Sequence, residues 1–162
     1  MDLGLNEEQK MLKKTARRFL EKECPMSLVR EVGTSEKGYS QRLHLKMAAL
    51  GWLGMEIPEE YGGIGGDFID IVILYEEIGR ALVPGPHFVT SIVCASTILD
   101  AGTEEQKTAM LPRIADGRLL LTLAQYELDG GYGAASIMLP AVLDGPDYVL
   151  EGVKLFVPFA HI

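Results

Sequence analysis

Cysteine is scarce in this sequence. Cys24 and Cys94 are the only two, they lie far apart, and neither belongs to a CxxC pair or has a histidine at ligand spacing. That excludes a disulfide framework and leaves no thiolate metal site, so two buried or idle thiols are expected. Long apolar runs are missing as well: none approaches the roughly 18 residues of a membrane-spanning helix. The opening "MDLGLNEEQK" is acidic and polar where a secretory signal needs a basic and then an apolar start. A cytoplasmic protein without a membrane partner is expected. Basic charge is in deficit, since 23 acidic against 15 basic side chains leave a net charge of −8. Such a surface repels a phosphate backbone, and nucleic acid is not an expected partner. The one basic cluster, Lys10, Lys13, Lys14, Arg17 and Arg18, falls at helical spacing among Glu7, Glu8 and Glu21, the pattern of a solvated, salt-bridged helix face.

What is present suits a folded protein. With 48% apolar and 23% charged residues the chain can bury a core, and its 162 residues suffice for one domain or for a helical domain with part of a second. Asn6 with Gln9, and Thr103 with Gln106, form capping-box patterns that predict helix starts. Between them, a stripe through Leu12, Ala16, Phe19 and Leu20, a second helix through Leu43, Met47 and Leu50 stopped by Gly51, and a third from about Asp67 to Leu82 are predicted. Residues 27–39, with Gly33 and Gly38, read as a connection. A helix after Pro86 is apolar nearly all round, which predicts burial on most sides, and Pro112 is expected to bend or shorten the helix that starts at Thr103. Leu12, Phe19, Met47, Leu50, Leu74, Ile78, Ile92 and Ile98 are expected in one helical core.

After Gly117 the pattern changes to short segments split by Gly, Pro and Asp, "RLLLTLAQYE", "AASIMLPAVL", "DYVLEG" and "VKLFVPFA", which read as strands with a hairpin turn at Glu151-Gly152. The fold class is therefore α+β: a helical bundle over residues 1–117, then the beginning of a β-barrel-like domain over 118–162. The final strand has no polar cap after it, so a fragment of a longer chain is expected.

"IPEEYGGIGG" at 57–66 could be a phosphate cradle or a shaped loop. It lacks the Lys-Ser or Lys-Thr ending of a phosphate loop and has no preceding strand, which favours a structural loop with at least one glycine at positive φ and no phosphate in it. His44, His87 and His161 have no evident nucleophile partner, and Glu59-Glu60 and Glu76-Glu77 read as solvated charges. No catalytic residue and no metal ligand is assigned. In "LTLAQYELDGGYGA" a strand running into glycines could lay main chain against a planar ligand, or could simply turn; both readings stand.

Taken in order, four segments resemble the acyl-CoA dehydrogenase family: "LNEEQKMLKKTARRFLEKE", "ALGWLGMEIPEEYGGIGGDFIDIVILYEEIGRAL", "AGTEEQKTAMLPRIADGRLLLTLAQYE" and "YVLEGVKLFVPFA". The resemblance covers essentially the whole chain. It implies an FAD-dependent enzyme that removes two hydrogens from the α and β carbons of an acyl-CoA and passes electrons to a carrier such as electron-transfer flavoprotein, working as a homo- or hetero-oligomer. The family's general base lies in a part of the fold with no counterpart here.

By the same resemblance, the flavin-binding positions are Gln125, Tyr126, Gly131, Tyr132, Phe156 and Pro158. Tyr126, Tyr132 and Pro158 stand where the family usually has small hydroxyl residues, whereas Glu127, Gly131 and the aromatic Phe156 match it. Phe88, Val89, Ile92 and Val93 would form an apolar acyl wall, or pack within the bundle. Two functions remain open: a segment of an acyl-CoA dehydrogenase, and a degenerate partner subunit that supports a catalytic one. The "ALVPGP" element is similar to a branch of the family that often pairs unlike subunits. The isolated chain is expected to bind FAD weakly or not at all.

Overall fold

The computed structural model describes residues 4–128, 130–131 and 133–162. Among the described residues six α-helices precede one hairpin: α1 Glu7–Glu23, α2 Met26–Gly33, α3 Gln41–Ala49, α4 Phe68–Arg80, α5 Ala95–Ala101, α6 Glu104–Ala115, then β1 Ala141–Asp144 and β2 Asp147–Leu150. The predicted α+β class holds. α1, α4 and α6 each begin with a complete capping box, from Asn6, Asp67 and Thr103, so the orphan N–H groups of the first turn are met by side chains a few residues away.

α1 packs along α4. Ala16 and Leu20 meet Leu74 and Ile78, with Leu43, Met47, Trp52 and Leu53 closing one cluster. A second cluster gathers Ile57, Ala95, Leu111, Ile114 and Ala115. The helical core is thus divided in two where one was expected. Leu50, expected inside, is 42% exposed, because α3 ends at Ala49 and Leu50 already belongs to the turn to Gly51, at φ 76°.

The expected connection at 27–39 contains α2. Pro25 fits the position before the helix, Val32 is buried, and Leu28 and Val29 pack on the first cluster; Gly33 is its last residue. Pro112 does not end α6, which runs on to Ala115 because Leu111 and Ile114 are fully buried and hold the last turn in place. Nor is Glu77 solvated. It is 1% exposed and takes Arg17 Nε and Nη2 at 2.9 and 2.7 Å, and Arg80 Nε at 3.2 Å. Arg17 foremost holds its carboxyl below the usual carboxylate range, against the effect of burial. The rest of the basic cluster behaves as expected, with Lys10 on Glu7 and Lys13 on Glu76.

The hairpin turn falls at Gly145-Pro146, with Gly145 at φ 61°, and not at Glu151-Gly152. A two-residue turn needs positive φ at its first central position, which Gly145 supplies. Gly152 instead lies against the Leu139 side chain, whose Cδ1 end would have to move to admit a Cβ. Over the predicted strand 118–127 the described residues pair only at Tyr126, with Leu155. Among the described residues no helix is long and apolar enough to cross a membrane.

Candidate functional site

The glycine loop is closed upon itself. Every N–H from Gly62 to Gly66 is spent on a carbonyl of the preceding stretch: Gly62 on Glu59, Gly63 on Pro58, Ile64 on Gly54, Gly65 on Ile57 and Gly66 on Met55, at 2.7 to 3.1 Å. Gly62 and Gly65 have φ of 81° and 66°. A phosphate cradle needs free N–H groups, and this loop has none to offer. Its glycines serve close approach, since a Cβ on Gly63 would sit 1.9 Å from the Ile57 carbonyl oxygen.

The helix after Pro86 is not buried all round. It widens to a π-helical turn over Val89–Cys94, where Ala95 N–H reaches back to Thr90 C=O, before continuing as α5. Val89, Thr90, Ser91, Cys94 and Ala95 are buried, Ile92 and Val93 are half-buried, and Phe88 is 53% exposed. Of the four proposed wall residues, then, Val89 packs inward, while Phe88, Ile92 and Val93 retain accessible surface. Phe88 is braced edge-on by Tyr75 at 5.5 Å. Farther along, Ser96 Oγ donates to Glu56 Oε1 or to Ile92 C=O, both at 2.7 Å.

The loop that follows Tyr126 is shaped by Glu127. Its carboxylate accepts from Met138 N–H at 2.9 Å, from Leu139 N–H at 3.1 Å and from Lys154 Nζ at 2.5 Å. Lys154 foremost, then the Met138 amide, hold the Glu127 carboxyl below its ordinary range. Lys154 Nζ also lies 3.4 Å from the Gln125 carbonyl. Ser136 Oγ reaches the Gly131 carbonyl at 2.7 Å.

Leu155 N–H donates to Tyr126 C=O at 2.8 Å, which sets Phe156 beside this loop in sequence register. Phe156 itself is 85% exposed at φ 52°, a left-handed conformation that costs a non-glycine residue. Pro158 is exposed, and its carbonyl accepts from Thr122 Oγ1 at 2.7 Å. Gln125, Tyr126, Phe156 and Pro158 are therefore drawn to one region by a bridge, a lysine and a threonine. Gly131 lies on the loop that Glu127 and Ser136 shape, and Tyr132 lies outside the described residues.

Three linking groups escaped the sequence: Thr90, whose Oγ1 bonds Leu121, Thr122 on Pro158, and Lys154 on Glu127. The only hint of Thr90 was a polar residue in an apolar helix. Among the described residues no cluster of three metal-binding side chains occurs, and Cys24 and Cys94 are buried free thiols.

Residues 6–118, which hold the helical part with its glycine loop, match the acyl-CoA dehydrogenase N-terminal domain. The chain belongs to the acyl-CoA dehydrogenase family. It is 36% identical over 160 residues to the acryloyl-CoA reductase (NADH) of Anaerotignum propionicum, covering 97% of this chain and 40% of that protein. Among solved structures, it superimposes on a chain of the ChsE4-ChsE5 complex from Mycobacterium tuberculosis with TM-score 0.83 and 35% identity, over 96% of this chain and 39% of that one. It also superimposes on a chain in the structure of the electron transferring flavoprotein of Acidaminococcus fermentans with TM-score 0.82 and 32% identity, over 97% and 41% of the two chains. The chain spans about two fifths of the length of the relatives it matches.

Proposed function

We propose that this chain is the acyl-binding and part of the flavin-binding portion of an FAD-dependent acyl-CoA dehydrogenase, which in its full length performs α,β-dehydrogenation of an acyl-CoA thioester. The observation that carries this is the meeting of Gln125, Tyr126, Phe156 and Pro158 beside a segment clasped to the helix of Phe88, Ile92 and Val93. The division at residue 117, between a helical domain and a β domain, belongs to the same proposal. So do a cytoplasmic location, an oligomeric assembly and electron-transfer flavoprotein or a similar carrier as acceptor.

The residues suit a flavin on some edges and not on others. Phe156 offers an exposed ring, and Gly131 leaves room, with the nearest atom 3.9 Å from where a Cβ would be. Pro158 contributes no N–H, and its carbonyl is already engaged by Thr122. FAD, when bound, supplies the acceptor for the hydride removed from the acyl group. This chain's own part is to hold the acyl group against Phe88, Ile92 and Val93, to place aromatic surface at Phe156, and to keep water from that face.

A second reading is favoured by Pro158 and by the likeness to a chain of the ChsE4-ChsE5 complex: a non-catalytic subunit paired with a catalytic one. Purification of the full-length protein separates the two. A bound flavin spectrum and acyl-CoA-dependent reduction of an acceptor dye are expected, with neither from the isolated 162-residue chain. A colourless full-length protein that co-purifies with a flavin-bearing homologue would establish the second reading, and a colourless protein active with no partner and no acyl-CoA would overturn both.

A further inference from the structure

Thr90 makes a contact that ordinarily belongs to a strand. It is 1% exposed; its Oγ1 donates to Leu121 C=O at 2.7 Å and accepts from Leu121 N–H at 3.1 Å. A hydroxyl has one proton and two lone pairs, so both bonds form at once, and together they give Leu121 what a neighbouring strand's main chain would give. Thr90 lies in the widened turn Val89–Cys94, the turn that also presents Ile92 and Val93.

The side chains of Leu119 and Leu121 pack against the second cluster, but few main-chain bonds hold this segment. Leu119 N–H bonds Arg113 C=O, and Tyr126 C=O bonds Leu155 N–H, but among the described residues no backbone-to-backbone bond involves residues 120–125. The main-chain anchors in between are Thr90 on Leu121 and Lys154 on the Gln125 carbonyl. Only the first of these reaches the helices. The adjacent Thr122 carries the linkage onward to Pro158. Thr90 thus supplies the main-chain link, beside the packing of Leu119 and Leu121, between the helix that carries Phe88, Ile92 and Val93 and the stretch leading to Gln125 and Tyr126.

We propose that Thr90 is a positioning residue: its hydroxyl sets the register between the acyl wall and the flavin-side loop, and with it the separation of the two ligands. The inference rests on the flavoenzyme reading given above. Valine fills the volume of threonine without the hydroxyl, while serine keeps the hydroxyl without the methyl, so the pair separates hydrogen bonding from packing.

The test uses the full-length protein with Thr90→Val and Thr90→Ser. In flavin-free protein, amide exchange at Leu121 is expected to speed up about tenfold in Thr90→Val, with FAD affinity about tenfold weaker and kcat lowered more than KM is raised, whereas Thr90→Ser stays within about twofold of wild type. Melting of the helical portion should be shared by all three. The proposal is overturned if Thr90→Val keeps wild-type flavin affinity and visible spectrum, or if Thr90→Ser falls as far as Thr90→Val. A wild-type protein that holds no flavin, alone or with a partner, fails at an earlier step: it removes the flavoenzyme reading, and this inference with it.

Discussion

His44 and His87 are both packed inside the helical part, at 6% and 7% exposure, and each has a ring nitrogen without a partner. The His44 ring meets Tyr39 at 6.0 Å; His87 Nε2 lies 3.2 Å from the Val83 carbonyl. Burial foremost, with the positive charge of His87 second, pushes the His44 pKa down from 6.5 to about 4. Burial shifts His87 in the same direction, against the effect of its Val83 bond. Between those two pH values the unfolded chain takes up a proton that the folded one refuses. The contribution of His44 to stability is therefore full above pH 6.5 and is lost as the pH falls towards 4. Urea unfolding at a series of pH values should show a fall approaching about 1.4 kcal/mol per pH unit for His44. Replacing His44 by Phe should flatten that dependence; an unchanged slope would assign it to other groups.

Among the elements, the glycine loop is the most constrained. Gly63 faces backbone, which cannot step aside as a flexible side chain can, whereas the nearest atoms to a Cβ on Gly62 are those of Pro112 at 3.6 Å. Gly63→Ala should cost about 1 to 3 kcal/mol, the range of overpacking changes, and chemical denaturation that finds it neutral would mean the loop is looser than it looks. The helix starts at Asn6 and Thr103 were legible because a capping box is written within four residues, and that at Asp67 from the apolar stripe that follows it. What failed were elements decided by distant contacts. α2 forms where Gly33 and Gly38 suggested a loop because Val32 finds a buried place, and the hairpin turns at Gly145, which holds the positive φ that Gly152 does not. In the site, the aromatic at 156 could be read from the sequence by resemblance. Thr90 could not, since its partner is 31 positions away and is a backbone group that any residue would present.

For the molecule as a whole, the two halves are unequally finished. The helical half encloses two clusters, whereas β1 and β2 are exposed at all their positions. The pairing puts Ala141, Leu143, Tyr148 and Leu150 on one face and Val142 and Val149, with Asp144 and Asp147, on the other. Apolar side chains are bared on both sides. In the 162-residue chain, Leu143→Lys on one face and Val142→Lys on the other should each lower light scattering at high concentration, and together should lower it further. If either alone abolished it, only one face would be adhesive. A sheet that separates core from water alternates oily and wetted sides, and this one does not. The hairpin therefore offers apolar surface in two opposite directions at once, where a half-buried strand pair would offer it in one.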